Sequence, residues 1–392
     1  MGRAVVSGLG VVSALGNDAD TFFSRLAQGV SGVTEKSISI LGETKTFLCA
    51  ATDSNPLEEP LKAFKLAESV LQDALKMSHL LDSYKNGERV GLFIGTATGI
   101  IPVLESERGL ICHINRLKDN SLKPYNGIAE YLTGKLPFKP MFVTTFTSAC
   151  ASSTIALIEA AKMIRKEMLD CVIVIGTEAL SSYDFLGFES LGIISKTNIK
   201  PFDDDRDGIV LGEGAAAIII ENEESVKKRK IPYLVEIAGG GISNDAYRLA
   251  TPDPEGTGAA KCMNAALQQS NLSYGAIDYI NAHGTGTKLN DRMETKAIKQ
   301  VFKENSKEIP ISSSKSMLGH TRGASGALEG LISILSIVNE FIPPTINYNT
   351  PDKECDLDYV PNIGRAAPIQ HVMSNSFGFG GHNSSVIFSK VY

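Results

Sequence analysis

Cys150, His283 and His320 are the residues whose settings suit covalent chemistry. Cys150 follows an apolar run at 141–145 and stands at or just before the first turn of a long apolar helical stretch, in Thr147-Ser-Ala-Cys150. Unpaired N–H groups and the positive dipole end of such a helix point toward its sulfur. Helix N-termini and neighbouring cations lower a cysteine pKa from about 8.5 to roughly 3.5–7.5, which supplies a thiolate nucleophile. A lone cysteine is more often a buried structural residue, and position alone leaves the two readings level. His283 ends a strand-like run in Asn281-Ala-His-Gly-Thr-Gly-Thr287, where glycines permit a sharp turn and close approach to a ligand. His320 closes Ser312-Ser-Ser-Lys-Ser-Met-Leu-Gly-His320, downstream of Lys315. One strand-end histidine reads best as structural. Two beside glycine turns, in a chain with 6 histidines, point to chemistry. Asn375-Ser-Phe-Gly-Phe-Gly-Gly381 is too rich in glycine for a strand interior, and its natural use is a backbone close to a ligand.

The elements that must position these residues occur twice. Strand-to-glycine segments at 91–99 and 278–286 match one another. Downstream of each, a polar turn opens a long apolar helix: Thr147-Ser-Ala-Cys150 leads into 152–168, and Thr321-Arg-Gly-Ala324 into 325–338. Both helices are apolar nearly all round, so both are buried. Placed among strands at 141–145, 171–175, 215–220 and 311–314, they predict an α/β fold of duplicated halves, residues 1–232 and 233–392, stacked as a five-layer α/β/α/β/α sandwich. The charged stretch 221–231 reads as a solvated connection between the halves. Matched segments of such a pseudo-twofold protein converge, bringing Cys150, His283 and His320 toward one cleft suited to acyl transfer.

Composition narrows the alternatives. The 392 residues are 43% hydrophobic and 21% charged with net charge -6, and no stretch combines dense Lys/Arg with aromatics, so nucleic acid is not an expected partner. The longest apolar runs, at 171–175 and 215–220, fall far short of the roughly 20 residues of a spanning helix, so no membrane insertion is expected. No charged region leads into a long apolar stretch near Met1, which gives a cytoplasmic location as the expectation. The 6 cysteines are scattered and never spaced as C-x-x-C, against a disulfide framework or a structural zinc.

The motifs around Cys150, His283 and His320, the glycine loop at 375–381, Pro201-Phe-Asp-Asp-Asp-Arg-Asp-Gly208 and Leu211-Gly-Glu-Gly214 together resemble the β-ketoacyl-acyl carrier protein synthases of thiolase fold, of the elongating type. The resemblance runs from Arg3 to about Phe388. It implies a ping-pong decarboxylative Claisen condensation, in which Cys150 accepts an acyl chain and the carbanion from malonyl carrier protein attacks the thioester. It implies further that His283 and His320 bind the malonyl thioester carbonyl, that Lys315 and Glu329 are the active-site lysine and its charged partner, and that the N–H groups of Cys150 and Phe379 form an oxyanion hole. Phe379 would also gate access, with Gly378, Gly380 and Gly381 lending the loop its freedom, and Thr285, Thr287 and Phe377 would contact substrate. No cofactor is implied, since substrates ride on the phosphopantetheine arm of acyl carrier protein. No metal is implied either, the segment 203–207 being structural in such enzymes.

The implied assembly is a homodimer with apolar residues at 101–111 on its interface, and a heterodimer with a chain-length-factor-like homologue is the alternative. Departures from the family pattern are His382 where relatives often have Thr, Ile155 where they often have His, and the stretch 180–195, which is closer to synthases of polyene or polyketide pathways. Glu58, Glu59 and Pro60 replace a basic approach to the helix near Ala63, leaving Lys62 and Lys65 as the expected docking charges. A Cys-His acyl hydrolase and a non-catalytic subunit are the competing readings. The first would yield free acid, and the second usually lacks the cysteine.

Overall fold

The computed structural model describes residues 2–40, 42–53, 57, 59–83, 88–106 and 126–391. Among these, ten strands join edge to edge: β1 Ala4–Ser13, β2 Val90–Gly95, β3 Phe142–Phe146, β4 Cys171–Glu178, β5 Gly214–Asn222, β6 Val235–Asn244, β7 Tyr279–Asn281, β8 Ile311–Ser312, β9 His371–Gly378 and β10 His382–Lys390. Their spatial order is β3-β2-β4-β5-β1-β6-β10-β9-β7-β8. The halves of this row repeat one plan. Strand β2 runs parallel to β3 and β4, while β5 is antiparallel to β4 and β1. In the same way β7 runs parallel to β8 and β9, while β10 is antiparallel to β9 and β6. The two halves meet at Val5 of β1 opposite Glu236 of β6.

Period-2 alternation along these strands creates the layers. In β4, Val172 and Val174 face the central core, whereas Cys171, Ile173 and Ile175 face an outer one. β5 divides its residues likewise, with Ala216, Ile218 and Ile220 inward and Ala215, Ala217 and Ile219 outward. A strand covered on both faces has no polar side to show, which is why these stretches read as continuous apolar runs. Helix α1 Lys62–Met77 covers β1, β5 and β4 from outside. Helices α2 Ser152–Arg165 and α3 Thr257–Ser270 follow, α2 in the centre and α3 outside β6 and β10, then α4 Lys288–Phe302, which packs beside α3, and the central α5 Ser325–Asn339.

The buried helices α2 and α5 touch each other and strands of both halves. Every residue of α5 from 325 to 337 is buried, and each large aliphatic side chain enclosed there stabilises the fold by about 1.5–3 kcal/mol. Their N-terminal ends are tied together, because Ser153 Oγ accepts from the Ala327 N–H at 2.9 Å and donates to the Gly323 carbonyl at 2.7 Å. The approach demands glycine at 326, where a Cβ would lie 2.5 Å from the Thr154 nitrogen. This contact brings the turn carrying Cys150 against the turn carrying His320.

Some expectations need correction. The strand expected over 311–314 ends at Ser312, because Ser313 donates through its N–H to Thr345 Oγ1 and through Oγ to the Gly284 carbonyl, turning the chain into a short helix Lys315–Leu318. The charged stretch near 221–231 is a helix, Glu223–Arg229, capped by Asn222, with acids in its first turn and bases in its last as the helix dipole favours. It is anchored by a buried Glu223 that pairs with Arg3. Lys62 is not a docking charge, since it is buried between Glu213 at 2.6 Å and Asp53 at 2.9 Å. Lys65 pairs with Glu59. Of the expected interface stretch, Ile101–Ser106 is a short helix whose Val103 and Leu104 pack on the outer core, while Leu110 and Ile111 lie outside the described residues. No helix among the described residues is long and apolar enough to cross a membrane.

Candidate active site

Cys150 leaves β3 through a tight turn in which Ala149 takes a left-handed φ of 48°, a conformation costing an alanine roughly 1–2 kcal/mol. Ser152 pins the turn by accepting from the Ser148 N–H at 2.9 Å and donating to the Ala149 carbonyl at 2.6 Å. The result aims Sγ across the helix junction, 3.0 Å from His320 Nε2. His283, at the end of β7, completes the group, with its ring 5.4 Å from that of His320 and nearly perpendicular to it. One nitrogen from each histidine and the sulfur lie within 4.8 Å of one another. The three residues that the sequence singled out do converge.

The far side of each ring decides its tautomer. His320 Nδ1 accepts the Arg322 backbone N–H at 3.2 Å and lies 3.2 Å from Ser325 Oγ. His283 Nδ1 faces the Lys315 ammonium at 3.4 Å, and Lys315 is itself paired with buried Glu329. With donors on both Nδ1 atoms, each neutral ring carries its proton on Nε2, which in His320 faces the sulfur. Burial holds both histidines well below their ordinary pKa, with Lys315 adding to the effect, so both are neutral near pH 7. The trio is close enough to hold a metal ion by distance alone. The His320 tautomer counts against that, because a backbone N–H cannot release Nδ1 to take the proton.

Burial governs the sulfur as well. It pushes the Cys150 thiol up to about 12, with Lys315 and Arg322 pulling the other way. The expectation of a depressed thiol pKa from helix position is therefore reversed in the free protein, since desolvation of the thiolate outweighs the neighbouring cations. Alkylation of Cys150 by iodoacetamide should consequently be slow at pH 7 and rise about tenfold per pH unit up to pH 10, because only the thiolate reacts. Peptide mass mapping would follow it, and a rate independent of pH would contradict this reading. The thiols of Cys49, Cys171, Cys262 and Cys355 are more deeply buried and should label later. Cys112 lies outside the described residues.

A cavity of about 470 Å³ opens onto the trio and is lined also by Thr285, Thr287, Phe377 and Phe379. Thr285 and Thr287 hydroxyls bond one another at 2.9 Å, and Phe377 lies edge-on to His283. In the glycine loop, a Cβ on Gly378 would stand 3.0 Å from the Cys150 nitrogen, and Gly380 takes φ 81°. Gly381 lines the cavity, and the Phe379 ring rests 5.9 Å from that of Phe188. Lys315 and Glu329 stand behind His283, away from the cavity wall, and burial pushes Glu329 up to about 7.

Several supporting charges escaped the sequence reading. Glu294 of α4 accepts the His283 and Gly284 N–H groups at 2.9 and 2.8 Å, fixing the turn that carries the histidine. Glu178, Asp184 and Arg322 form a buried ionic cluster on the Cys150 side. No local pattern marks them, because each becomes buried only when distant segments meet. Asn281 Nδ2 and Oδ1, Ser374 Oγ and Glu329 Oε2 are buried without a hydrogen-bond partner among the described residues, a polar setting of the kind that holds ordered water.

Comparison with known proteins agrees with this geometry. The beta-ketoacyl synthase N-terminal domain matches residues 60–225 and the C-terminal domain matches residues 234–349. The chain is 37% identical over 409 residues to 3-oxoacyl-[acyl-carrier-protein] synthase 2 of Coxiella burnetii, covering 100% of this chain and 99% of that one. The Synechocystis protein of the same name is 34% identical over 408 residues, covering 99% and 98%. A solved type II PKS ketosynthase in complex with its acyl-carrier protein superposes with TM-score 0.90 at 30% identity, and the ishigamide ketosynthase/chain length factor with 0.88 at 28%, each covering 100% of both chains. Family domains across both halves, full-length relatives and a shared fold around the Cys-His-His cavity place this chain in the β-ketoacyl synthase family.

Proposed function

We propose that this acyltransferase lengthens an acyl chain by two carbons on acyl carrier protein, with Cys150 as the carrier of the growing chain. The observation that supports it best is the convergence of two neutral histidines on one sulfur, a ring nitrogen of His283 and of His320 and the Cys150 sulfur all lying within 4.8 Å of one another. The Cys150 sulfur attacks an acyl thioester as its thiol proton is given up, the bond to the carrier sulfur breaks, that sulfur takes up a proton and leaves as the carrier thiol, and the acyl group stays on Cys150. Malonyl carrier protein then enters, its carboxyl bond breaks, carbon dioxide departs, and the electron pair moves onto the thioester oxygen as an enolate. His283 and His320 hydrogen-bond that oxygen. The enolate carbon attacks the Cys150 thioester, the N–H groups of Cys150 and Phe379 receive the oxyanion, and collapse expels the thiolate and a 3-oxoacyl product. The reaction uses no metal and no cofactor of the protein's own.

Lys315, held by Glu329, keeps His283 oriented and neutral. Thr285 and Thr287 receive the phosphopantetheine arm, Phe377 packs the histidine, and Phe379 gates the cavity on the hinge of Gly378, Gly380 and Gly381. The chain divides into halves at 232/233, between the helix Glu223–Arg229 and β6, which opens the second strand set. The unpaired thiols support a reducing, cytoplasmic setting.

Among the described residues strand β3 ends the row of strands, with its Phe142 and Val143 exposed at 43% and 40% and Met141 just before it at 68%. An apolar edge of this kind, unpaired among the described residues, demands a cover, and a second copy pairing there is the proposed homodimer. The likeness to a ketosynthase/chain length factor assembly favours a heterodimer as the second reading. Light scattering on the chain purified alone, with products of acyl and malonyl carrier proteins read by mass spectrometry, tests both. An active dimer yielding carbon dioxide and a product two carbons longer is expected. Free acid as sole product would mean a hydrolase, and an inactive chain rescued by a homologue would mean the heterodimer.

A further inference from the structure

Arg322 is 2% exposed and takes a left-handed φ of 49°. Its Nη1 donates to the Gly212 carbonyl at 3.0 Å and its Nη2 to the Ala179 carbonyl at 2.7 Å. Nε lies 3.4 Å from Glu178 and 3.3 Å from Asp184, both buried. Glu178 ends β4 and accepts the N–H groups of Ala97 and Thr98, at 3.1 and 3.2 Å, beyond the end of β2. Asp184 belongs to the helix Ser182–Ser190, which also carries Phe188, the ring against Phe379. One side chain thus joins the His320 turn, the end of the N-terminal sheet and the helix behind the gating loop. A buried ionic cluster is seldom the most stabilising way to fill such a space, and a non-glycine residue held left-handed beside an active site is strain that clusters at functional sites.

We propose that Arg322 is a positioning residue for the reaction: its backbone N–H fixes the His320 ring, and its guanidinium, clamped by Glu178 and Asp184, holds a fixed positive charge behind the Cys150–His320 pair. This rests on the reading of Cys150 and His320 as the reaction centre. His320 is faced by Cys150, His283, Lys315 and Arg322, and Arg322 by Glu178, Asp184, Glu213 and the sulfur. The two cations, Lys315 and Arg322, disfavour imidazolium at His320 and favour thiolate at Cys150. Asp184, pushed up to about 6 by burial, completes the clamp when ionised.

The variants are Arg322→Leu, Arg322→Lys and the double Arg322→Leu/Asp184→Leu. The last removes a charge pair together and serves where the single leucine variant does not fold. Two profiles are read against pH: iodoacetamide labelling of Cys150, and carbon dioxide release from malonyl carrier protein. Loss of the cation should slow labelling about tenfold at pH 8, move the acid limb of decarboxylation to higher pH, and lower turnover about 10- to 100-fold through a displaced His320. Arg322→Lys should leave both profiles near their wild-type positions. Leucine variants with both profiles unmoved, whatever their rate, would overturn the proposal, because a purely structural loss scales activity without shifting it. Full activity in Cys150→Ala would instead overturn the reading beneath it.

Discussion

Cys150→Ala is expected to lower condensation by at least about 10⁴-fold, the scale at which an enzyme loses its nucleophile, while the protein stays folded. The side chain ends at a cavity and, among the described residues, makes one polar contact, to His320 Nε2 at 3.0 Å. Removing the sulfur therefore leaves no buried charge unpaired and enlarges an existing space slightly. Thermal unfolding should change little. Intact-mass spectrometry after incubation with acyl carrier protein thioester checks the assignment, since wild type should gain the acyl mass and the alanine variant should not. Among the described residues no other cysteine lines this cavity. Acylation that persists in Cys150→Ala would remove it as the carrier.

The histidine variants should separate the two half-reactions. His283→Ala and His320→Ala each delete one donor to the enolate oxygen, and loss of such a donor costs about 100- to 1000-fold. Decarboxylation of malonyl carrier protein should fall by that factor in each. Acylation of Cys150 should survive better in His283→Ala than in His320→Ala, because of the two histidines it is His320 that lies at hydrogen-bond distance from the sulfur. Radiolabelled acyl and malonyl donors would measure the steps apart. Both pKa values are depressed, so the rings remain neutral as pH falls through the ordinary histidine range. The wild-type decarboxylation rate should accordingly show no loss near pH 6.5 from these groups. Undiminished decarboxylation in either variant would contradict the shared role.

Local pattern carried most of the architecture. Strands β4 and β5 are apolar on both faces, α5 lacks a polar face, and α2 keeps its charges, Glu159, Lys162 and Arg165, in its C-terminal half, so the burial of these elements between other layers was legible from residue order alone. The repeat was legible too, because the polar turns before residues 152 and 325 occupy matching places in each half. Cys150, His283 and His320 stood out because glycine-rich or helix-opening turns surround them. A capping signal also lay within reach in the charged stretch, where Asn222 accepts from the Glu224 N–H.

What only tertiary structure decided are the properties set by neighbours distant in the chain. Helix position predicts an acidic thiol at Cys150, yet enclosure by both halves desolvates the sulfur and raises its pKa, because the cost of burying a charge depends on everything around it. Lys62 and Arg322 look like ordinary surface charges in polar surroundings, and they are buried against Glu213, Glu178 and Asp184, which arrive from other strands and from the helix Ser182–Ser190. The histidine tautomers likewise depend on a backbone N–H two residues away and on a lysine 32 positions along the chain. Hydrophobic periodicity is written residue by residue and survives as sequence. Desolvation, charge pairing and proton placement are sums over space, and they take their sign only when the layers close.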